Sequence, residues 1–273
     1  KYVVERIAGI RAGRAAALAE DKRTTGRLVH EILERILDEG VGDPEQAAKR
    51  ALELFDSEGP RMAAFLFLPG HDTDREAARQ NVSHAARTFV RLLNECGLSV
   101  TGIGEEYSGQ ALGGDFAGRP DVVLGDGEAV FDFKRGWTKY KRQELEKGTY
   151  WQLASYARLL KARHEKEPGL GYFVTEDQVG LSPAEAAIPG TQRIDGPSTD
   201  QVWNAFEQAY RARRVELADG EVVAAAVETE GTEVPSEDGW EGEKLVLRPP
   251  CRFCELSALC GKDFGRIETE EDE

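Results

Sequence analysis

The sequence has no apolar run that approaches the roughly 18 consecutive residues needed to cross a bilayer. Its first residues also lack the basic and then apolar pattern of an export signal. Both absences argue against an integral membrane protein and against a secreted one. We therefore expect no membrane partner and a cytoplasmic location.

Methionine is nearly absent as well, because it occurs only at Met62, so a chain that starts at Lys1 has no initiator residue. We interpret the sequence as part of a longer protein or as a trimmed product. Its 273 residues, 40% of them hydrophobic, are still enough to bury a full core. The phosphate-gripping pattern G-x-x-x-x-G-K-S/T is missing, so any nucleotide-driven motor would lie elsewhere.

Basic residues are scarce, with 35 Lys and Arg against 50 Asp and Glu and a formal net charge of -15. Such a balance argues against a polyanionic partner in general, because phosphates are bound mainly by basic side chains. The segment "KRGWTKYKRQELEK" (134–147) is the exception, since it interleaves bases with aromatics as sites for phosphates and stacked bases do. A solvated loop followed by a helix start explains the segment equally well. The candidate nucleic-acid contacts are Arg135, Trp137, Lys139, Tyr140, Lys141 and Arg142.

Hydrophobic periodicity predicts an α/β fold. Helical spacing of apolar residues covers three segments in the first third of the chain, 24–37, 44–55 and 74–96. Shorter apolar runs between glycine-bearing turns then predict strands at 98–108, 113–120, 121–124, 129–133 and 169–177. Helical periodicity returns at 144–163 and 199–217, and the Gly-, Glu- and Pro-rich residues 219–248 are predicted to be a linker.

Two carboxylates and an ammonium stand out in "GRPDVVLGDGEAVFDFKRG" (118–136). If the strands 121–124 and 129–133 pair, Asp121 begins one of them, and Asp132 and Lys134 point to the same face of the other. Two carboxylates can share a hard cation such as Mg²⁺ or Mn²⁺, and phosphodiester hydrolysis uses a metal beside a cationic side chain. One such Lys and Asp alone would more often be a surface ion pair. The apolar residues around them place the acids next to a core, where an unpaired charge is costly.

Four short elements, in this order along the chain, resemble the RecB-like nucleases of the PD-(D/E)XK superfamily: "GRLVHEILE", "GRPD", "FDFK" and "QLASY". The resemblance implies that His30, Asp121, Asp132 and the main-chain carbonyl of Phe133 bind the metal. It implies that Lys134 is the catalytic lysine. Gln152 and Tyr156, four residues apart on one helix face, would lie beside the active site and position the lysine or the DNA. Without this context, His30 on an apolar helix face would more often be a core histidine.

Cysteine is also rare, and three of the four cysteines, Cys251, Cys254 and Cys260, follow a C-x2-C-x5-C pattern. In a reducing compartment such spacing indicates a metal or cluster rather than a disulfide, and three thiolates need a fourth ligand. The pattern resembles the C-terminal cysteines of AddB-type helicase–nuclease subunits and of small CRISPR-adaptation nucleases, which implies a 4Fe–4S cluster. By the same resemblance, we expect the fourth ligand a few residues before Lys1 rather than at Cys96. Zinc is the alternative metal.

The resemblance implies a restriction-endonuclease-like central mixed sheet flanked by helices, with an N-terminal helical region and a C-terminal cysteine cluster. We expect residues 1–97 to form the N-terminal helical part of the nuclease domain. Residues 98–218 would form the nuclease core, and residues 219–273 the linker, the cysteine knot and the acidic tail.

The expected function is that of a divalent-metal-dependent DNA nuclease, the exonuclease domain of an AddB-type helicase–nuclease that processes single-stranded DNA ends in recombinational repair. A helicase motor region or partner subunit is then implied. The close alternative is a stand-alone nuclease of the CRISPR-adaptation type. A non-catalytic DNA-binding iron–sulfur module and a protein-interaction domain with a zinc knot are further alternatives, although the acid, acid and lysine set is complete here.

Overall fold

The computed structural model describes residues 22–221, 234–242, 244–249 and 251. The chain divides into two compact units, Leu18–Asn204 and a second of Lys1–Ala17 with Ala205–Glu273. Apart from the clustered cysteines, every candidate site residue lies in the first unit. None of the described helices is both long enough and apolar enough to cross a bilayer.

In the described part of the chain, three α-helices precede the first strand: α1 (Lys22–Asp38), α2 (Pro44–Met62) and α3 (Asp72–Cys96). Local sequence sets their ends. The carboxylate of Asp43 accepts a hydrogen bond from the Gln46 amide at 2.8 Å and caps α2. Gly97 adopts the left-handed conformation, with φ at 68°, and ends α3. A short 3₁₀ helix, Ala64–Phe67, lies between α2 and α3.

Among the described residues, the strands are β1 (Val100–Ile103), β2 (Tyr107–Ala111), β3 (Gly114–Gly118), β4 (Val122–Leu124), β5 (Ala129–Lys134), β6 (Gly169–Val174), β7 (Val179–Pro183), β8 (Gln192–Ile194), β9 (Gly239–Glu241) and β10 (Lys244–Val246). Six of them form a sheet in the order β1-β4-β5-β6-β7-β8, while β2 pairs with β3 and β9 with β10. The large sheet is mixed, because β4 and β5 are antiparallel and β5 and β6 are parallel.

The remaining helices are α4 (Thr138–Lys147), α5 (Trp151–His164) and α6 (Thr199–Ala218). Helices α1, α2 and α3 form one continuous hydrophobic core with alternate residues of the sheet, among them Phe131 and Phe133 of β5 and Phe173 of β6. Helix α5 contacts β5 and β6 from the other face of the sheet, where the side chain of Asp132 points. The expected α/β class, with a central mixed sheet flanked by helices, is confirmed.

The predicted helix over 144–163 is wrong, because two helices occupy that range. Gly148 takes the left-handed conformation, with φ at 65°, and its amide donates to the carbonyls of Glu144 and Leu145. This closes α4 before α5 begins at Trp151. Helical spacing of apolar residues continues on both sides of the glycine, so periodicity alone did not reveal the break.

The strand predictions need three corrections. The strand predicted over 98–108 is divided at Gly104, whose φ is 54°, so β1 joins the central sheet and β2 pairs with β3 instead. Strands β7 and β8 were not predicted. The linker predicted over 219–248 contains the hairpin of β9 and β10, whose Leu245 is buried opposite Trp240.

Candidate functional site

The candidate acids lie at one end of β4 and β5. The predicted pairing of these strands is confirmed, with Val122 opposite Phe131, but Asp121 directly precedes β4 rather than beginning it. Its Oδ2 accepts a hydrogen bond from the main-chain amide of Phe133 at 2.5 Å. This hydrogen bond attaches Asp121 to β5 at Phe133, the residue between Asp132 and Lys134.

Side-chain alternation along β5 separates its core residues from its polar ones. Phe131 and Phe133 pack into the helical core, so Asp132 and Lys134 point toward α5. The Lys134 ammonium lies 2.5 Å from Asp132 Oδ2, and Asp132 is buried. This contact puts the ammonium and the carboxylate on one face, as the spacing predicted.

Gln152 and Tyr156 join this pair from one face of α5. The Lys134 ammonium donates to Gln152 Oε1 at 2.9 Å, and the Gln152 amide group donates to Asp132 Oδ1 at 3.0 Å. That amide group also lies 2.9 Å from the Tyr156 hydroxyl, which in turn donates to the carbonyl of Arg119 at 3.1 Å. A single amide therefore contacts both members of the ion pair and fixes their relative position.

His30 approaches from α1, on the other side of the sheet end. Its Nδ1 lies 3.5 Å from Asp121 Oδ1, and its ring meets that of Phe133 edge to face at 5.6 Å. Glu34, one helical turn further along α1, was not predicted as a site residue. One ligand atom from each of His30, Glu34 and Asp121 lies within 4.8 Å of the others. Ligands at about 2.0–2.5 Å from one cation can be this far apart.

Glu34 could have been found from the sequence, because positions four apart share a helix face. Asp132 is not part of the close triplet of His30, Glu34 and Asp121. Its carboxylate faces Lys134 and Gln152 instead. The structure therefore brings the predicted metal ligands and catalytic residues to one region but divides them between two adjoining groups: Asp121 with α1, and Asp132 and Lys134 with α5.

Electrostatics at the site reflect burial and crowded acids. Burial lowers the pKa of His30, but the hydrogen bond and charge of Asp121 outweigh this effect, so the pKa is raised overall. Burial raises the pKa of Glu34, and the charge of Asp121 raises it further. Burial also raises the pKa of Asp132; Lys134 opposes the shift and Asp121 adds to it. The charges of Glu34 and Asp132 thus lack full compensation.

The chemistry of these residues fits a hard divalent cation. Asp132 is buried, and its Oδ2 lies against the Lys134 ammonium. The carboxylates of Glu34, Asp121 and Asp132 and the imidazole of His30 lie in this region with the Lys134 ammonium, and Arg27 and Arg135 line the adjoining cleft. Carboxylate oxygens are the ligands that Mg²⁺ and Mn²⁺ prefer.

A cleft of about 590 Å³ opens beside the site. His30, Glu34 and Lys134 line it together with Phe133 and Arg135. A phosphate group in this cleft would reach the candidate ligands and the lysine from solvent.

The six candidate nucleic-acid contacts divide into two kinds. Three of the bases already have partners: Arg135 lies 2.8 Å from Glu176, Lys141 lies 2.5 Å from Glu144, and Arg142 donates to Gln192 at 2.6 Å. Lys139, Trp137 and Tyr140 are exposed. The part of all six residues in nucleic-acid binding stays a prediction.

The cysteine predictions concern residues that are mostly outside the described part of the chain. Cys254 and Cys260 lie beyond it. Cys251 is partly buried and forms no disulfide with a described residue. Cys96 is partly buried at the end of α3, where its Sγ donates to the Leu93 carbonyl at 3.1 Å.

Comparison with known proteins identifies the family. No curated protein is significantly similar to the chain. Among solved structures, the crystal structure of a "Putative exonuclease" from Eubacterium rectale is similar over 81% of this chain and 74% of that chain, at 12% identity and a TM-score of 0.43. The family model of the PD-(D/E)XK nuclease superfamily matches residues 1–261. Since this match covers nearly the whole sequence, the chain belongs to the PD-(D/E)XK nuclease superfamily.

Proposed function

We propose that this chain is a divalent-metal-dependent DNA nuclease that hydrolyses phosphodiester bonds. The contact of the Lys134 ammonium with the buried carboxylate of Asp132, beside Asp121 and at the edge of a cleft, is the observation that carries the proposal. Acids without full charge compensation next to a lysine are typical of active sites rather than of surface ion pairs.

The metal would be held by His30, Asp121, Asp132 and the main-chain carbonyl of Phe133, with Glu34 as a further carboxylate. A bound divalent cation supplies an activated water and screens the negative charge that builds on the phosphoryl oxygens. Asp121 is oriented for this role because the Phe133 amide holds one of its oxygens while the other faces His30.

The Lys134 ammonium would stabilise the phosphoryl oxygens as their negative charge increases. Water would form the new bond to phosphorus and lose a proton to solvent, the bond to the leaving oxygen would break, and the leaving alkoxide would take a proton from solvent. Gln152 and Tyr156 would act as positioning residues, because the Gln152 amide holds Lys134 and Asp132 together and the Tyr156 hydroxyl is attached to the Arg119 carbonyl.

The direct test is cleavage of end-labelled linear DNA, single-stranded and double-stranded, by the purified chain. We expect hydrolysis with Mg²⁺ or Mn²⁺ and none with excess EDTA, because the crowded carboxylates need a cation to bind a polyanion. Cleavage that continues in EDTA would contradict the metal requirement. A lack of cleavage with either ion would favour the non-catalytic DNA-binding module.

A matched pair of variants on α1 tests the place of the metal. Glu34→Gln is expected to raise the Mg²⁺ concentration for half-maximal cleavage by about tenfold, since it removes a charged ligand. Glu31→Gln changes a neighbouring acid that lines the same cleft but is not in the triplet with His30 and Asp121, so it serves as the control. Equal responses of the two variants would remove Glu34 from the ligand set.

We further propose that the chain is the exonuclease domain of an AddB-type helicase–nuclease that acts on single-stranded DNA ends in recombinational repair. The order of the four motifs and the C-x2-C-x5-C spacing support this proposal. A helicase motor would then be in the same protein or in a partner subunit. The gene sequence upstream of Lys1 separates this proposal from a stand-alone CRISPR-adaptation nuclease, because only the former requires a long motor-like region there.

The cysteine pattern leads to a separate spectroscopic prediction for the intact protein. If Cys251, Cys254 and Cys260 hold a 4Fe–4S cluster with a fourth cysteine from before Lys1, the protein is brown, with broad absorbance near roughly 400 nm that dithionite bleaches. Colourless protein that contains one equivalent of zinc would contradict the cluster and indicate a zinc site at these thiolates. This outcome is independent of the cleavage assay.

A further inference from the structure

Two large aromatic side chains project into solvent immediately after the strand that carries Lys134. Trp137 is 59% exposed and Tyr140 is 57% exposed. Their rings lie 5.2 Å apart at an interplanar angle of 43°. Each exposed ring carries a free energy cost in water, so an adjacent exposed pair indicates a surface that another molecule covers.

The backbone at Trp137 is unfavourable for a tryptophan. Its φ of 72° and ψ of 47° are left-handed, a conformation that favours glycine and is rare for a bulky residue. Trp137 is also the N-cap of α4, and its side chain makes no capping hydrogen bond. Glycine, serine or aspartate would serve helix stability better at this position. An unfavourable residue in a strained conformation indicates that the indole has a function of its own.

The surroundings of the pair suit a polyanion. Helix α4 starts with Lys139, Lys141 and Arg142 before its first acid, Glu144, in a chain whose net charge is -15. Lys139 is exposed on the same turn as the two rings. Lys141 lies over the ring of Tyr172, at 5.0 Å from its centroid, and the Lys134 ammonium lies 5.7 Å from the same centroid. Lys141, at the basic start of α4, and the catalytic Lys134 therefore both lie against the ring of Tyr172.

We propose that Trp137 and Tyr140 form a stacking platform for unpaired bases of the DNA strand whose phosphate lies at Lys134. This inference rests on the proposed nuclease function and names the two side chains that would give it a preference for single-stranded DNA. Aromatic side chains can stack on bases only when the bases are not already stacked in a duplex, and such stacking is tolerant of sequence. The platform would therefore discriminate by strandedness and not by base identity.

The test measures binding separately from cleavage. Fluorescence anisotropy would follow a fluorescein-labelled oligothymidylate and a blunt duplex of equal length, with every protein carrying Lys134→Ala so that cleavage is slow on the time scale of the measurement. Trp137→Gly removes the indole but suits the left-handed backbone, so this variant is expected to melt no lower than its parent. Tyr140→Ala removes the second ring. Tyr210→Ala, which truncates an exposed aromatic on α6, is the control.

We expect Trp137→Gly and Tyr140→Ala each to weaken single-strand binding by about tenfold, with less than a twofold change for the duplex and no change from Tyr210→Ala. Unchanged single-strand binding in both variants would overturn the platform and leave a protein partner as its occupant. An equal loss for both DNA forms would overturn the strand preference. If the chain with Lys134 intact fails to cleave DNA but these variants lose single-strand binding, the platform stands and the nuclease proposal fails.

Discussion

Lys134→Ala is expected to slow Mg²⁺-dependent DNA cleavage by about 10²–10³-fold, the largest effect on activity of any substitution considered. The ammonium is the only cationic side chain in hydrogen-bond or ion-pair contact with Asp132 and Gln152 among the described residues. Its removal leaves the divalent cation without the support of this ammonium when the negative charge on the phosphoryl oxygens increases. Single-turnover cleavage of end-labelled DNA measures the loss directly.

The fold should survive this substitution. Asp132 keeps its hydrogen bond from Gln152, and burial already raises its pKa, so it can take up a proton when the ammonium is removed. A melting temperature within a few degrees of the parent is therefore expected. Lys166→Ala, which removes an exposed lysine paired with Glu128 at 3.1 Å, is the matched control and should retain full activity. Full activity in both Lys134→Ala and Asp132→Ala would remove the assignment of the active site.

Phe89→Ala is expected to have the largest effect on stability, a loss of about 3–5 kcal/mol in the free energy of unfolding. The Phe89 ring of α3 lies 5.4 Å from that of Phe131, 4.9 Å from that of Phe133 and 4.8 Å from that of Phe173, measured between centroids. All four rings are buried. Truncation leaves a cavity between α3 and the sheet and removes three aromatic contacts at once.

Urea denaturation followed by circular dichroism measures this loss. Leu68→Ala, at an exposed leucine after the 3₁₀ helix, should change stability by no more than about 0.5 kcal/mol and controls for the loss of a large apolar side chain. A loss below about 1 kcal/mol for Phe89→Ala would show that the core collapses around the gap, or that α3 is not part of the cooperative unit.

Strand alternation made much of the site predictable from the sequence. Because side chains alternate with a period of two, Asp132 and Lys134 had to share a face once β5 was identified, and the apolar neighbours indicated which face was the core. The pairing of β4 with β5 follows from the short turn between them. The spacing of Gln152 and Tyr156 likewise placed them together on α5 before their hydrogen bonds were known.

Tertiary contacts account for what the sequence left out. Glu34 lies four residues after His30, the spacing that also relates Tyr156 to Gln152. Acids are common on exposed helix faces, however, and only the approach of Asp121 distinguishes Glu34 from them. Arg135 and Arg142 were predicted to contact nucleic acid, yet the residues that engage them, Glu176 and Gln192, are about 40 to 50 positions away. No local pattern could have anticipated those pairs.

Alternate side chains of β5 belong to the candidate active site and to the hydrophobic core: Asp132 and Lys134 to the first, Phe131 and Phe133 to the second. A one-residue slip in the register of β5 against β4 and β6 would exchange the faces, sending Asp132 and Lys134 into the aromatic core and Phe131 and Phe133 toward α5. Such a slip would bury two charged groups and expose two aromatic rings in a single step. The register that places the candidate active site is therefore the same register that stabilises the core.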